Sequence, residues 1–196
     1  MDFRRIAIKI SGYKVSSDPE IESLISKNIK SQYGISSGQK AFESGVHAAV
    51  YPNNRGNIVA FIPSWIGRED ACQVAYDSVG RNLTTVPEVF DLDKIKISPD
   101  KDLCVIEMEK LSPLSDDEQE EIWALLIKNK HLLEFSDIKN FLNEKEEISP
   151  LMHDLLNLID RMEKENISHT DFSHDNVGRG QDGKLKLLDW ESIYFL

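Results

Sequence analysis

A chain of 196 residues has room for one substantial domain or for two small units sharing a cleft, and 40% hydrophobic with 29% charged residues is ordinary for a globular protein. A formal net charge of −11 argues against tracking of a nucleic-acid backbone, which needs clustered Lys and Arg, and no apolar run reaches the length that spans a bilayer. Lys9 and Ser11 interrupt any signal-like stretch after Arg4-Arg5, so the expected location is the cytoplasm, of a cell or of an infected host.

Residues 2–10 alternate loosely and suit a strand. Asp18-Pro19-Glu20 opens a helical stretch: Asp18 can cap it, Pro19 suits its first position, and Ile21, Leu24, Ile25 and Ile29 fall on one face, with Gly34 as its end. Residues 46–51 and 58–62 predict two strands of a hairpin across the polar turn 52–57. Residues 68–79 suit a helix with Ala71, Val74, Ala75 and Val79 on its apolar side. Two more strands are expected at 86–90 and 103–108, joined by a charged connection holding Pro99-Asp100. Cys72 and Cys104 stand far apart without C-x-x-C spacing, which predicts two buried thiols rather than a disulfide or a zinc site.

Beyond Ser112-Pro113 the pattern turns helical. Ser115-Asp116-Asp117-Glu118 resembles a capping box ahead of Ile122, Leu125, Leu126 and Ile127, and residues 136–142 form a shorter helix. Ser149-Pro150 starts a third helix, whose core face is Leu151, Leu155, Leu158, Ile159 and Met162. The acidic runs 116–121 and 144–147 read as solvated helix faces and loops, with a docking surface for a basic partner as the sharper alternative. The chain is thus α+β, β-rich first and helical second, with a hinge near 108–113; that order favours two lobes. The expected division is an extension over 1–34 packed on the small lobe, a β-rich lobe over 35–111 and a helical lobe over 112–196.

The segment with most chemistry is His169-Thr170-Asp171-Phe172-Ser173-His174-Asp175-Asn176, followed by a turn at Gln181-Asp182-Gly183 and by Leu185-Lys186-Leu187-Leu188-Asp189. Val177 and the Leu185–Leu188 run can pair across that turn, which gathers Asp171, Asn176 and Asp189 at the mouth of one hairpin. Two carboxylates and an amide there make a hard, oxygen-rich site of the kind that nucleotide-bound magnesium requires.

The ordered set H-x-D-x-x-x-x-N, then a hairpin ending in Asp, resembles the catalytic loop and metal-binding Asp of protein kinases and their small-molecule relatives. The resemblance implies a two-lobed kinase-like fold with ATP and Mg²⁺ as cofactors. It makes Asp171 the catalytic carboxylate, Asn176 and Asp189 the metal ligands, and His169 a structural brace. His174 and Asp175 fall in the variable part of the loop. Leu103 to Leu111 looks like the last small-lobe strand running into the hinge, so that backbone groups around Glu107, Met108 and Glu109 would bond adenine.

The match departs from the family in three places. Where the family has V-A-I-K, this chain reads Val59-Ala60-Phe61-Ile62-Pro63-Ser64 without the lysine, and Lys40 or Arg68 is the candidate to reach the phosphates instead. Neither Ser36-Ser37-Gly38-Gln39 nor Ser44-Gly45-Val46 reproduces a Gly-rich loop. Asp189 is followed by Trp190-Glu191, a pair more reminiscent of aminoglycoside- and choline-kinase-like enzymes. The sequence ends at Leu196, so the resemblance is to a minimal, truncated kinase without an activation segment, similar to small kinase-like proteins of bacterial viruses or pathogens. Three functions follow: a kinase acting on hydroxyls of a host or partner protein; a pseudokinase that grips and regulates such a partner without transfer; and a transition-metal enzyme using His169, Asp171, His174 and Asp189, which the surrounding sequence order fits least well.

Overall fold

Among the described residues, the β-structure begins with a hairpin across a tight polar turn. The computed structural model describes residues 25, 29–39, 41, 49–63, 69–128, 135–169, 172–188 and 193–195. The expected strand at 2–10, the start of the helix at Asp18-Pro19, and Lys40, Arg68, Asp171, Asp189, Trp190 and Glu191 lie outside them. Strands β1 (Ala49–Pro52) and β2 (Ile58–Pro63) pair antiparallel, with Val50 opposite Ala60. The turn between them is closed by the Asn53 side chain, whose Oδ1 accepts from Arg55 N at 3.1 Å and Asn57 N at 2.9 Å.

Helix α1 (Glu69–Arg81) separates β2 from β3 (Val89–Ser98) and β4 (Lys101–Met108). The sheet order is β1-β2-β4-β3, antiparallel throughout, so β4 lies inside it. Residues 103–108 of β4 are all buried, because both faces of the sheet are covered. Cys104, Ile106 and Met108 face an inner core shared with Val74 and Ala75 of α1. Leu103 and Val105 face an outer core with Val59, Phe61, Ile25, Ile29 and Tyr33. There Tyr33 and Tyr51 both meet the Phe61 ring edge-on, at centroid distances of 6.1 and 5.7 Å.

Two expectations are corrected. The strand placed at 86–90 begins instead at Val89 and runs through the charged segment to Ser98. It is an edge strand of the sheet, where Asp91, Asp93, Lys94 and Lys96 suit an open side and discourage further pairing. Cys72 and Cys104 are joined in a disulfide, since α1 lies across the inner face and brings their Cα atoms to 6.4 Å.

The second half is helical, as expected. Helix α2 (Asp116–Lys128) starts with the capping box: Glu118 N donates to Ser115 Oγ at 3.3 Å, and Ser115 N returns to Glu118 Oε2 at 2.8 Å. Helix α3 (Phe135–Asn143) buries Ile138 and Leu142. Helix α4 (Pro150–Glu165) has Ser149 as its N-cap, Pro150 in its first turn and Asn166 in the left-handed conformation at its end, φ 53°. Its buried face, Leu151, Met152, Leu155, Leu158, Ile159 and Met162, joins the inner core. Ser149→Ala is expected to lower stability by about 1 kcal/mol, because Met152 N loses its 3.2 Å acceptor; a thermal melt checks this. Among the described residues, no helix is long and apolar enough to cross a membrane.

Four short strands follow α4 among the described residues. β6 (Ile167–His169) pairs with β9 (Ile193–Phe195). β7 (Val177–Arg179) and β8 (Leu185–Leu187) form the expected hairpin, with Val177 opposite Leu187. β5 (Ser112–Pro113) adds to the other edge of β7.

Candidate functional site

The hairpin β7–β8 is where the strand leaving the four-stranded sheet meets the loop after α4. Ser112 and Pro113 pair with Arg179 and Gly178. The approach is close enough to demand glycine: a Cβ at Gly178 would lie 3.0 Å from Leu111 Cβ and 3.1 Å from Ser112 O. A 3-10 turn, His174–Asn176, leads into β7. Leu188 N donates to Asn176 O at 2.8 Å and closes the open end of the hairpin. Asn176, 4% exposed, therefore stands opposite the residue that immediately precedes Asp189. Asp171, five residues ahead of Asn176, and Asp189 themselves lie outside the described residues. Among the described residues, no three of His, Cys, Asp and Glu gather as a metal cluster.

Glu107, Met108 and Glu109 end β4 and begin the connection to β5. Glu107 faces the outer core, where its carboxylate accepts from Asn53 Nδ2 at 2.9 Å, Asn57 Nδ2 at 2.8 Å and Arg55 Nη1 at 2.8 Å. Met108 faces the inner core. Glu109 gives its backbone N–H to Glu88 O at 2.8 Å. Its carboxylate, buried, accepts from Lys186 Nζ at 2.5 Å, Gln181 N at 2.6 Å and Glu88 N at 3.2 Å. A crevice opens beside this connection, with Leu111, Pro113 and Leu114 on one side and His174, Asp175, Val177 and Leu188 on the other. His169 is buried on β6 opposite Ile193, while His174 and Asp175 are partly exposed, 3.4 Å apart.

Three tethers hold this region, and sequence reasoning identified none of them. The Glu109–Lys186 pair spans 77 residues, and no local pattern relates its partners. Glu165 receives Thr84 N at 2.8 Å, Thr84 Oγ1 at 2.6 Å and Thr85 Oγ1, while Arg161 donates to Leu185 O at 2.6 Å and to Thr84 O. Helix α4 thereby grips the loop after α1, and Leu187 N donates to Thr85 O of the same loop at 2.7 Å. One sequence signal pointed here: Glu165 is an acid at a helix C-terminus, where the dipole disfavours it, so a dedicated partner is implied.

Arg179 is the third tether. It bonds Glu118 of α2 at 2.7 Å, Asp154 of α4 at 2.8 Å and Gly183 O at 3.0 Å. Partial burial pushes the Glu118 carboxyl upward, but the hydrogen bonds from Arg179 and Ser115 outweigh it and hold the group below its ordinary value of 4.5. A carboxyl depressed in the folded state contributes stability that is full above about pH 4.5 and is lost as pH falls through the lower folded value. Glu118→Gln is accordingly expected to flatten part of the acid limb of a stability–pH curve while changing stability little once the wild-type carboxyl is protonated, as urea melts at several pH values would read.

No protein-family model matches the chain, and no curated protein sequence matches it. Among solved structures it is similar to that of monomeric WbdD, with 14% identity, a TM-score of 0.43 and coverage of 76% of this chain. The chain spans about a third of that structure, 33%.

Proposed function

We propose that the chain is a two-lobed, protein-kinase-like phosphotransferase that uses ATP and Mg²⁺ to modify hydroxyl groups of a protein, in the cytoplasm of a cell or of an infected host. The observation that carries the reading is the closed mouth of the β7–β8 hairpin. There the Leu188–Asn176 hydrogen bond holds Asn176 opposite the residue that precedes Asp189 in the ordered motif His169-x-Asp171…Asn176…Asp189. The antiparallel order β1-β2-β4-β3, with a helix in the β2-to-β3 connection, supports it as a small-lobe topology.

In this reading Asn176 and Asp189 would hold Mg²⁺, which would supply positive charge to offset that of the nucleotide's phosphates. Asn176 suits the task chemically, as a buried amide at the hairpin mouth. Asp171 orients the acceptor hydroxyl and takes its proton. Adenine would bind along the connection after β4, through backbone groups other than the Glu109 N–H, which Glu88 O already engages.

A second reading, a pseudokinase that binds a partner protein without transfer, is favoured by the distribution of cations. Strand β2 carries none, and the hairpin's Arg179, Lys184 and Lys186 are each paired with a carboxylate. Thermal melts with ATP, with and without Mg²⁺, followed by transfer of labelled γ-phosphate to protein, separate the two. Mg²⁺-dependent stabilisation with transfer is expected. Stabilisation without transfer selects the pseudokinase, and neither effect defeats the enzyme.

A further inference from the structure

We infer that the Cys72–Cys104 bond is a redox-operated tether that sets how firmly helix α1 is held on the sheet. The chain has two cysteines, and the structure spends both on this one link, 32 residues apart in sequence. Cys104 lies on the inner strand β4, opposite Ile62 of β2 and Lys94 of β3, so it is anchored from both sides. Cys72 lies in the first turn of α1 and is only partly buried.

Among its described residues, α1 packs inward through side chains of modest size. Its packed side offers Val74, Ala75 and Ser78, whereas its bulkier apolar residues, Tyr76 at 49% and Val79 at 56% exposure, point to solvent. Apolar stabilisation scales with buried area, and small side chains supply little of it. Toward its other end Arg81 stacks on Phe195, 4.2 Å from the ring centroid. The bond therefore adds a covalent anchor near the start of α1, at the end opposite the Arg81–Phe195 contact.

In a reducing compartment a disulfide with one partly exposed cysteine is open to exchange at that side. The thiolate of a cellular dithiol attacks Cys72 Sγ, the more accessible sulfur. The Cys72–Cys104 bond breaks, and Cys104 leaves as a thiolate that takes up a proton. The reductant's second thiol then displaces Cys72, leaving the reductant as its own disulfide. The protein gains two electrons and two protons, and a disulfide oxidant reverses the step. Reduced protein keeps the sheet and loses the anchor of the amino-terminal half of α1. That this lowers nucleotide affinity rests on the phosphotransferase reading, in which α1 backs the nucleotide-binding sheet.

The test uses the full chain purified without reductant. Thiol titration in denaturant is expected to find no free thiol before dithiothreitol treatment and both cysteines after it. Amide exchange read by mass spectrometry is expected to rise about tenfold or more over residues 69–81 on reduction, with residues 101–108 unchanged. Cys72→Ser should exchange like the reduced protein whether or not reductant is present. It is chosen because Cys104 is a core position whose replacement risks the fold. Free thiols in the air-equilibrated protein, equal exchange of α1 in both redox states, or a redox response surviving in Cys72→Ser would each overturn the tether. ATP-induced thermal shifts measured in both states address the consequence separately. If no shift occurs in either state the phosphotransferase reading fails, and the tether is judged on exchange alone.

Discussion

Glu109→Ala is expected to destabilise the protein by about 3–5 kcal/mol, read as a loss of urea midpoint at unchanged slope. The residue is 3% exposed and its partner Lys186 is 7% exposed, so truncation leaves an ammonium group inside the protein without its counter-charge. The backbone N–H groups of Gln181 and Glu88 lose acceptors at the same time. The surroundings cannot relax to admit water freely: a Cβ at Gly180 would already lie 2.7 Å from Lys186 Cε and 2.9 Å from Glu109 Oε1. Adding Lys186→Met to Glu109→Ala is expected to restore part of the loss, with a coupling of roughly 1–3 kcal/mol in the double-mutant cycle. A coupling near zero would mean that the charge pair is not what holds the connection after β4 to strand β8.

Asp189→Ala and Asp171→Ala should each remove phosphoryl transfer while leaving far-UV circular dichroism unchanged. For Asp171 the expected drop is on the order of 10²–10⁴ in rate, the usual contribution of a positioned base. The two variants differ in binding. Asp189→Ala should also lose the Mg²⁺-dependent part of ATP stabilisation, since the proposed ligand of the ion is gone. Asp171→Ala should keep it, because the proposed role lies with the acceptor hydroxyl and not with the nucleotide. Transfer that survives in Asp171→Ala would take the catalytic role away from this loop. Equal nucleotide responses in the two variants would contradict the division of labour between them.

Helix α4 was legible before any coordinates. Ser149, Pro150 and the 3.6-residue spacing of Leu151, Leu155, Leu158, Ile159 and Met162 are local signals, and they settle its start and its buried face. The capping box at Ser115–Glu118 and the β7–β8 hairpin were legible for the same reason, as was Asn176 at the hairpin's mouth. Strand β3 was misread because its charges look like a loop, and only its place at the sheet edge explains them. The roles of Glu107 and Glu109 as buried acceptors were equally hidden. Their partners, Asn53, Asn57 and Lys186, lie 50 to 77 residues away.

The amino-acid sequence alone determined the α+β succession, the helix caps, the hairpin and the ordered His-Asp-Asn-Asp motif, because each depends on neighbours within a few turns of chain. The tertiary structure alone decided which charges are buried against which, that Cys72 meets Cys104, and that α4 grips the loop after α1. Those facts depend on how distant segments pack, and pairing energies between remote residues leave no periodic trace in a single chain.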